Sequence, residues 1–84
     1  MLQIADKENL LDEAYRGETA FFLALVQLED SKGTELSWPE LDDLLEYSRR
    51  FHSNLSGFLS QALNDKRRYD EGRLKARQMQ IRFT

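Results

Sequence analysis

The chain reads as an all-α protein on three observations. Apolar residues recur every three or four positions over two long stretches, about 6–31 and 38–65. A hexapeptide at the start of the second stretch carries a complete helix-start signal. No turn-flanked segment alternates apolar and polar residues as a strand would. The predicted architecture is an antiparallel helical hairpin with a basic C-terminal extension, all within one domain of 84 residues.

The first helix is expected from about Asp6 to Ser31. Leu11, Ala14, Phe21, Leu25 and Leu28 fall at helical spacing, and Leu10, Tyr15, Phe22 and Val26 widen the stripe. Asp6 suits an N-cap, with Glu8, Asp12 and Glu13 towards the positive end of the helix dipole. Gly17 lies inside this pattern and is read as tolerated, at about 1 kcal/mol relative to alanine. Gly33, after Lys32, fits a left-handed C-cap.

The second helix starts at Leu36-Ser37-Trp38-Pro39-Glu40-Leu41. Ser37 and Glu40 have the spacing of a capping box, Leu36 and Leu41 that of a hydrophobic staple, and Pro39 stands in the first turn, where its missing N–H is harmless. Counted in sevens, one track runs Leu41, Ser48, Leu55, Ala62, Tyr69, Ala76, Phe83. Its companion runs Leu44, Phe51, Phe58, then weakens at Asp65 and Gly72. Helix is therefore expected to about Asp65, with residues 66–84 continuing it, forming a further helix or remaining a tail. Rods of 26 and 28 residues would each span roughly 40 Å at 1.5 Å per residue.

The charge is polarised. Residues 1–46 hold twelve acids against Lys7, Arg16 and Lys32, net −9; residues 47–84 hold nine basic residues against Asp65, Asp70 and Glu71, net +6. Attraction between segments of one chain explains part of this, and attraction between copies is the competing explanation. From Phe51 to Asn64 no residue is formally charged when His52 is neutral, and Ser53, Ser56, Gly57 and Ser60 form a small polar face opposite Phe51, Leu55, Phe58, Leu59 and Ala62.

Little in the sequence points to chemistry. With no cysteine and one histidine, thiolate and histidine-rich metal sites are excluded. Asp42, Asp43 and Glu46 lack the loop geometry and ligand count of a Ca²⁺ or Mg²⁺ site. His52 with Ser48, Ser53 or Ser56 makes no hydrolytic constellation, and the four single glycines make no phosphate loop. No enzyme activity, cofactor or small-molecule substrate is expected. The longest apolar run, residues 20–26, is too short for a membrane span, and the N-terminal residues lack a signal peptide's order, which predicts a cytoplasmic protein.

What remains is binding. Two rods share one seam, so the sequence predicts a second copy or a larger protein partner completing a bundle, with the chain acting as an adaptor, an anti-activator or a small secretion-type chaperone. The expected partner-binding residues are Phe21, Phe22, Leu25, Phe51, Leu55, Phe58 and Leu59, with Ser56 and Ser60 allowing close approach. The basic extension, Lys66, Arg67, Arg68, Arg73, Lys75, Arg77 and Arg82, would steer the partner. The alternative is a nucleic-acid-associated regulator that uses those cations on phosphates, with Tyr69 or Phe83 stacking.

Overall fold

The computed structural model describes residues 2–83, with side chains as far as Ile81; the side chains of Arg82 and Phe83, counted above with the basic extension and the heptad track, lie outside the described residues. Five α-helices follow in order: α1 Ile4–Arg16, α2 Glu18–Lys32, α3 Trp38–Phe51, α4 Ser56–Asn64 and α5 Lys66–Phe83. A 3₁₀ turn, Ser53–Leu55, joins α3 to α4. No described residue is in a strand.

The class is as expected, but the two rods are not continuous. The longest extent of the chain, 36 Å, is shorter than either rod would be. The first rod breaks at Gly17, whose φ of 138° and ψ of 173° lie in a region that side-chain-bearing residues rarely enter. Gly17 is thus a hinge, not a tolerated helix interior. After it α2 runs back along α1, so that Lys32 pairs with Asp6 at 3.5 Å near the opposite end. The sharp reversal joins α1 to α2 through a single residue, at a position where unbroken helix was expected.

The second rod breaks at His52, where φ −141° and ψ 56° end α3 and the backbone re-enters helix through the 3₁₀ turn. It stops again at Asp65, in extended conformation. The Asp65 carboxylate accepts the Arg68 backbone N–H at 3.2 Å, which starts α5 as a separate helix. Residues 66–83 are therefore neither a tail nor a continuation of helix 2.

The predicted termini hold better than the lengths. Gly33 adopts the left-handed conformation at φ 75°, and the N–H groups of Gly33 and Thr34 both donate to the Glu29 carbonyl, at 2.8 and 3.2 Å. At Ser37 the capping box is complete: Ser37 N–H donates to Glu40 Oε1 at 3.1 Å, and Glu40 N–H donates to Ser37 Oγ at 3.4 Å. Leu36 and Leu41 are both buried, as a staple requires. Ser37→Ala is expected to cost about 1 kcal/mol, read as a shift in the urea midpoint at unchanged slope. At the other end Asp6 is not the cap: α1 begins earlier, and Asp6 Oδ2 accepts the N–H of Gln3 at 3.2 Å.

The core is built from all five helices. Leu10 and Leu11 of α1, Phe21, Phe22 and Leu25 of α2, Leu41 and Leu44 of α3, Leu59 and Leu63 of α4, and Tyr69 and Ala76 of α5 are buried together. Folding at Gly17 lets α1 and α2 cover each other, and α5 closes over α2. The interior that two rods would lack is present within one chain, so burial of these residues needs no second copy.

The α2–α5 crossing depends on a residue without a side chain. A Cβ at Gly72 would overlap the Phe22 ring, which is itself buried, so glycine is what lets that ring seat against the α5 backbone. Paired residues rise together along both helices: Glu18 with Arg68, Phe22 with Tyr69, Glu29 with Arg73, Asp30 with Arg77. The two helices therefore cross in the same direction.

Candidate functional site

The residues assigned to a partner interface divide into three groups. Phe21, Phe22, Leu25, Leu55 and Leu59 are core side chains of this chain. Phe58 is half-buried, with its ring edge-on to Phe21 at 6.2 Å. Ser56 and Ser60 are also half-buried, and the Ser56 hydroxyl donates to the Ser53 carbonyl at 2.7 Å. Phe51 stands apart: it is 63% exposed at the last turn of α3.

Phe51 is the edge of an aromatic corner where α1 meets the end of α3. Its ring lies 4.8 Å from that of Tyr47, one helical turn earlier. Across the junction Tyr15 of α1, 50% exposed, meets the His52 ring edge-on at 5.8 Å. Glu8, also on α1, ties the corner from beneath. It accepts the Tyr47 hydroxyl at 2.6 Å and lies 3.0 Å from His52 Nε2. The α1–α3 seam is extended by Lys7, which pairs with Asp43 at 2.6 Å and lies over the Tyr47 ring at 5.3 Å. The α1 register that brings Glu8 and Tyr15 to one side is the helical step of seven residues.

From this corner the exposed surface runs into the uncharged segment. Ser53, Asn54, Gly57, Gln61 and Asn64 are exposed, and none carries a charge. A third exposed aromatic, Trp38, begins α3 and rests on Tyr69 of α5 at 5.4 Å. Burial pushes the Tyr69 hydroxyl up to about 12, so it stays a neutral phenol beneath the Arg73 guanidinium.

The basic extension is largely engaged within the chain. Arg68 binds both carboxylate oxygens of Glu18, at 3.0 and 3.2 Å. Arg73 reaches Glu29 at 2.8 Å and Glu35 at 3.3 Å. Arg77 reaches Asp30 at 2.9 Å and Glu29 at 3.3 Å, and Arg67 pairs with Glu71 on its own helix at 3.1 Å. The charge polarity of the sequence is thus met to a large extent by α5 lying on α2. Lys66 and Lys75 are exposed.

Between α2 and α5 lies a groove of about 290 Å³, floored by Phe22, Gly72, Ala76 and Met79 and rimmed by Glu18, Arg68, Glu71 and Lys75. Its rim is already paired through Glu18–Arg68. Among the described residues no group of three histidine, cysteine or acidic side chains is placed to hold a metal ion. Asp42 is exposed, while Asp43 and Glu46 pair with Lys7 and with Arg49 and Arg50. No described helix is long and apolar enough to cross a membrane.

Three glutamates are held below the usual carboxylate range. The Tyr47 hydroxyl does this for Glu8, aided by His52; the Arg68 guanidinium does it for Glu18; the Ser37 backbone N–H does it for Glu40. Each binds its proton less tightly when folded than when unfolded. Their stabilisation is therefore complete above the unfolded glutamate value of about 4.3 and is lost as pH falls through the lower folded values. A urea series is expected to show a midpoint falling below about pH 4.5, with a shallower acid limb in Glu18→Gln.

Comparison with models of protein families, with curated proteins and with solved structures finds no match.

Proposed function

We propose that this chain is a non-enzymatic protein-binding module, an adaptor, anti-activator or small chaperone, that docks a partner on the corner formed by Tyr15, Tyr47 and Phe51. The observation that carries the reading is Phe51, an aromatic side chain 63% exposed beside a surface strip free of charge. Protein interfaces are enriched in aromatic residues and depleted of charge at their centres, and a well-packed aromatic anchor supplies much of their binding energy. The uncharged strip at Ser53, Asn54 and Gly57 would let a partner helix settle with few ions to desolvate. The nucleic-acid reading has less support, because Arg68, Arg73 and Arg77 already bind carboxylates and would have to leave them for phosphates.

The test is photo-crosslinking in the cells that make the protein, with a benzophenone side chain at position 51 and, as control, at exposed Gln27 on α2. A discrete adduct from position 51 and none from position 27 supports the proposal. No adduct from positions 51, 47 or 15 overturns it. The adduct's mass separates a second copy of the chain from a different partner.

A further inference from the structure

The His52 ring, at the kink that ends α3, is held from two sides. Its Nε2 lies 3.0 and 3.3 Å from the two carboxylate oxygens of Glu8. A carboxylate only accepts, so Nε2 carries a hydrogen there. Its Nδ1 lies 3.1 Å from the Tyr15 hydroxyl, and that hydroxyl donates to Asn54 Oδ1 at 3.0 Å.

A phenol has one hydrogen to give. While Tyr15 gives it to Asn54, the contact with His52 is a hydrogen bond only when Nδ1 is also protonated and donates to the phenol oxygen. With Asn54 Oδ1 facing Tyr15 the arrangement suits an imidazolium bridging Glu8 and Tyr15; with the amide turned over, so that its N–H donates to the phenol oxygen, the same positions suit a neutral ring. In the neutral ring Nδ1 becomes an acceptor. Tyr15 then keeps its bond to His52 only by withdrawing its hydrogen from Asn54, whose amide must turn over or lose its donor. The other ionisable group facing the ring is Tyr47 of α3, which donates to Glu8. Lys7 reaches the cluster through the Tyr47 ring, and the segment 51–64 contributes no other charge.

We propose that His52 is a proton-operated switch that selects whether the Tyr15 hydroxyl donates to Asn54 or to His52, and so sets which atom of the Asn54 amide, in the 3₁₀ turn at residues 53–55, faces α1. Tyr15 belongs to the aromatic corner, so the switch would also adjust the docking surface described above. The proton coupling itself does not rest on that surface being used.

Histidine is the side chain whose ordinary change of charge falls between about pH 5 and 8. An NMR titration of the full chain over that range would follow the His52 ring, the Tyr15 ring and the Asn54 side-chain amide. The expected result is one common midpoint for all three. In Tyr15→Phe, which removes only a surface hydroxyl, the His52 ring should still titrate while the Asn54 amide no longer follows it. Three outcomes would overturn the switch: a stationary Asn54 amide while His52 titrates, an Asn54 response undiminished in Tyr15→Phe, or a His52 ring that does not titrate in this range. Because the readout is internal to the chain, a failed crosslink at position 51 leaves this result intact.

Discussion

Glu29→Ala is expected to destabilise the fold by about 3 kcal/mol, the low end of the range for removing one partner of a buried ion pair. Glu29 lies near the C-terminus of α2 and is 2% exposed. Its carboxylate joins three parts of the chain: it accepts the Leu36 backbone N–H at 2.8 Å, Arg73 at 2.8 Å and Arg77 at 3.3 Å. Removing it orphans the Leu36 N–H, which helps shape the loop before α3, and leaves the Arg73 guanidinium, whose side chain is only 17% exposed, with Glu35 alone. The low end of the range applies because Arg77 retains Asp30 and Arg73 retains Glu35. Arg73 Nε is already buried without a partner among the described residues, so the cluster has no slack on that side. Glu29→Gln keeps an acceptor for Leu36 and should cost less than Glu29→Ala. The double change Glu29→Leu with Arg73→Leu should recover part of the single-mutant loss, since no unpaired ion is then left inside. Urea unfolding of the parent and these variants measures the effect. A Glu29→Ala cost below about 0.5 kcal/mol, the ordinary effect of a surface change, would show that the cluster does not hold α5 to α2.

The helical period is readable from the residues even where the helix ends are not. Leu41, Ser48, Leu55, Ala62, Tyr69 and Ala76, one track of the sevenfold count, are all buried, although the backbone breaks twice between them. The period marks which side chains turn inward; it does not mark where the axis bends. At His52 nothing in the residue type announces a break, since histidine is a passable helix former. At Asp65 a signal is present: Asn64-Asp65 before a basic run is a plausible cap, and Asp65 does accept the Arg68 N–H. The exposed aromatic corner is half legible. Phe51 is among the interface residues expected from sequence, whereas Tyr15 and Tyr47 are not, because Tyr15 fits the apolar stripe of α1 and its exposure depends on how α3 packs beside it. Glu29 cannot be identified from sequence, because its arginine partners stand 44 and 48 positions later and meet it only once α5 has folded back.

Gly17→Ala is the change that asks the fold to choose between a hairpin and a rod. At φ 138° and ψ 173° alanine is strained by about 1–3 kcal/mol, although an added Cβ meets no neighbouring atom. The cost is therefore conformational, and repacking cannot relieve it. Alanine also favours continuing the helix, by about 1 kcal/mol over glycine. The apolar pattern on either side of position 17 is helical, so the alternative is a continuous helix through residues 4–32. In that rod α1 can no longer lie on α2 of its own chain, and Leu10, Leu11 and Ala14 lose their cover. A second molecule in the same state can supply the missing contacts by exchanging α1, the route by which hinge variants form swapped dimers. The expected result is a melting temperature below the parent's and, with rising concentration, a growing fraction at twice the parent's mass by light scattering. Gly17→Asn should behave no better than Gly17→Ala, since this backbone region is essentially confined to glycine. A Gly17→Ala protein as stable as the parent and of the same mass in solution at every concentration would mean that the reversal between α1 and α2 does not depend on this glycine.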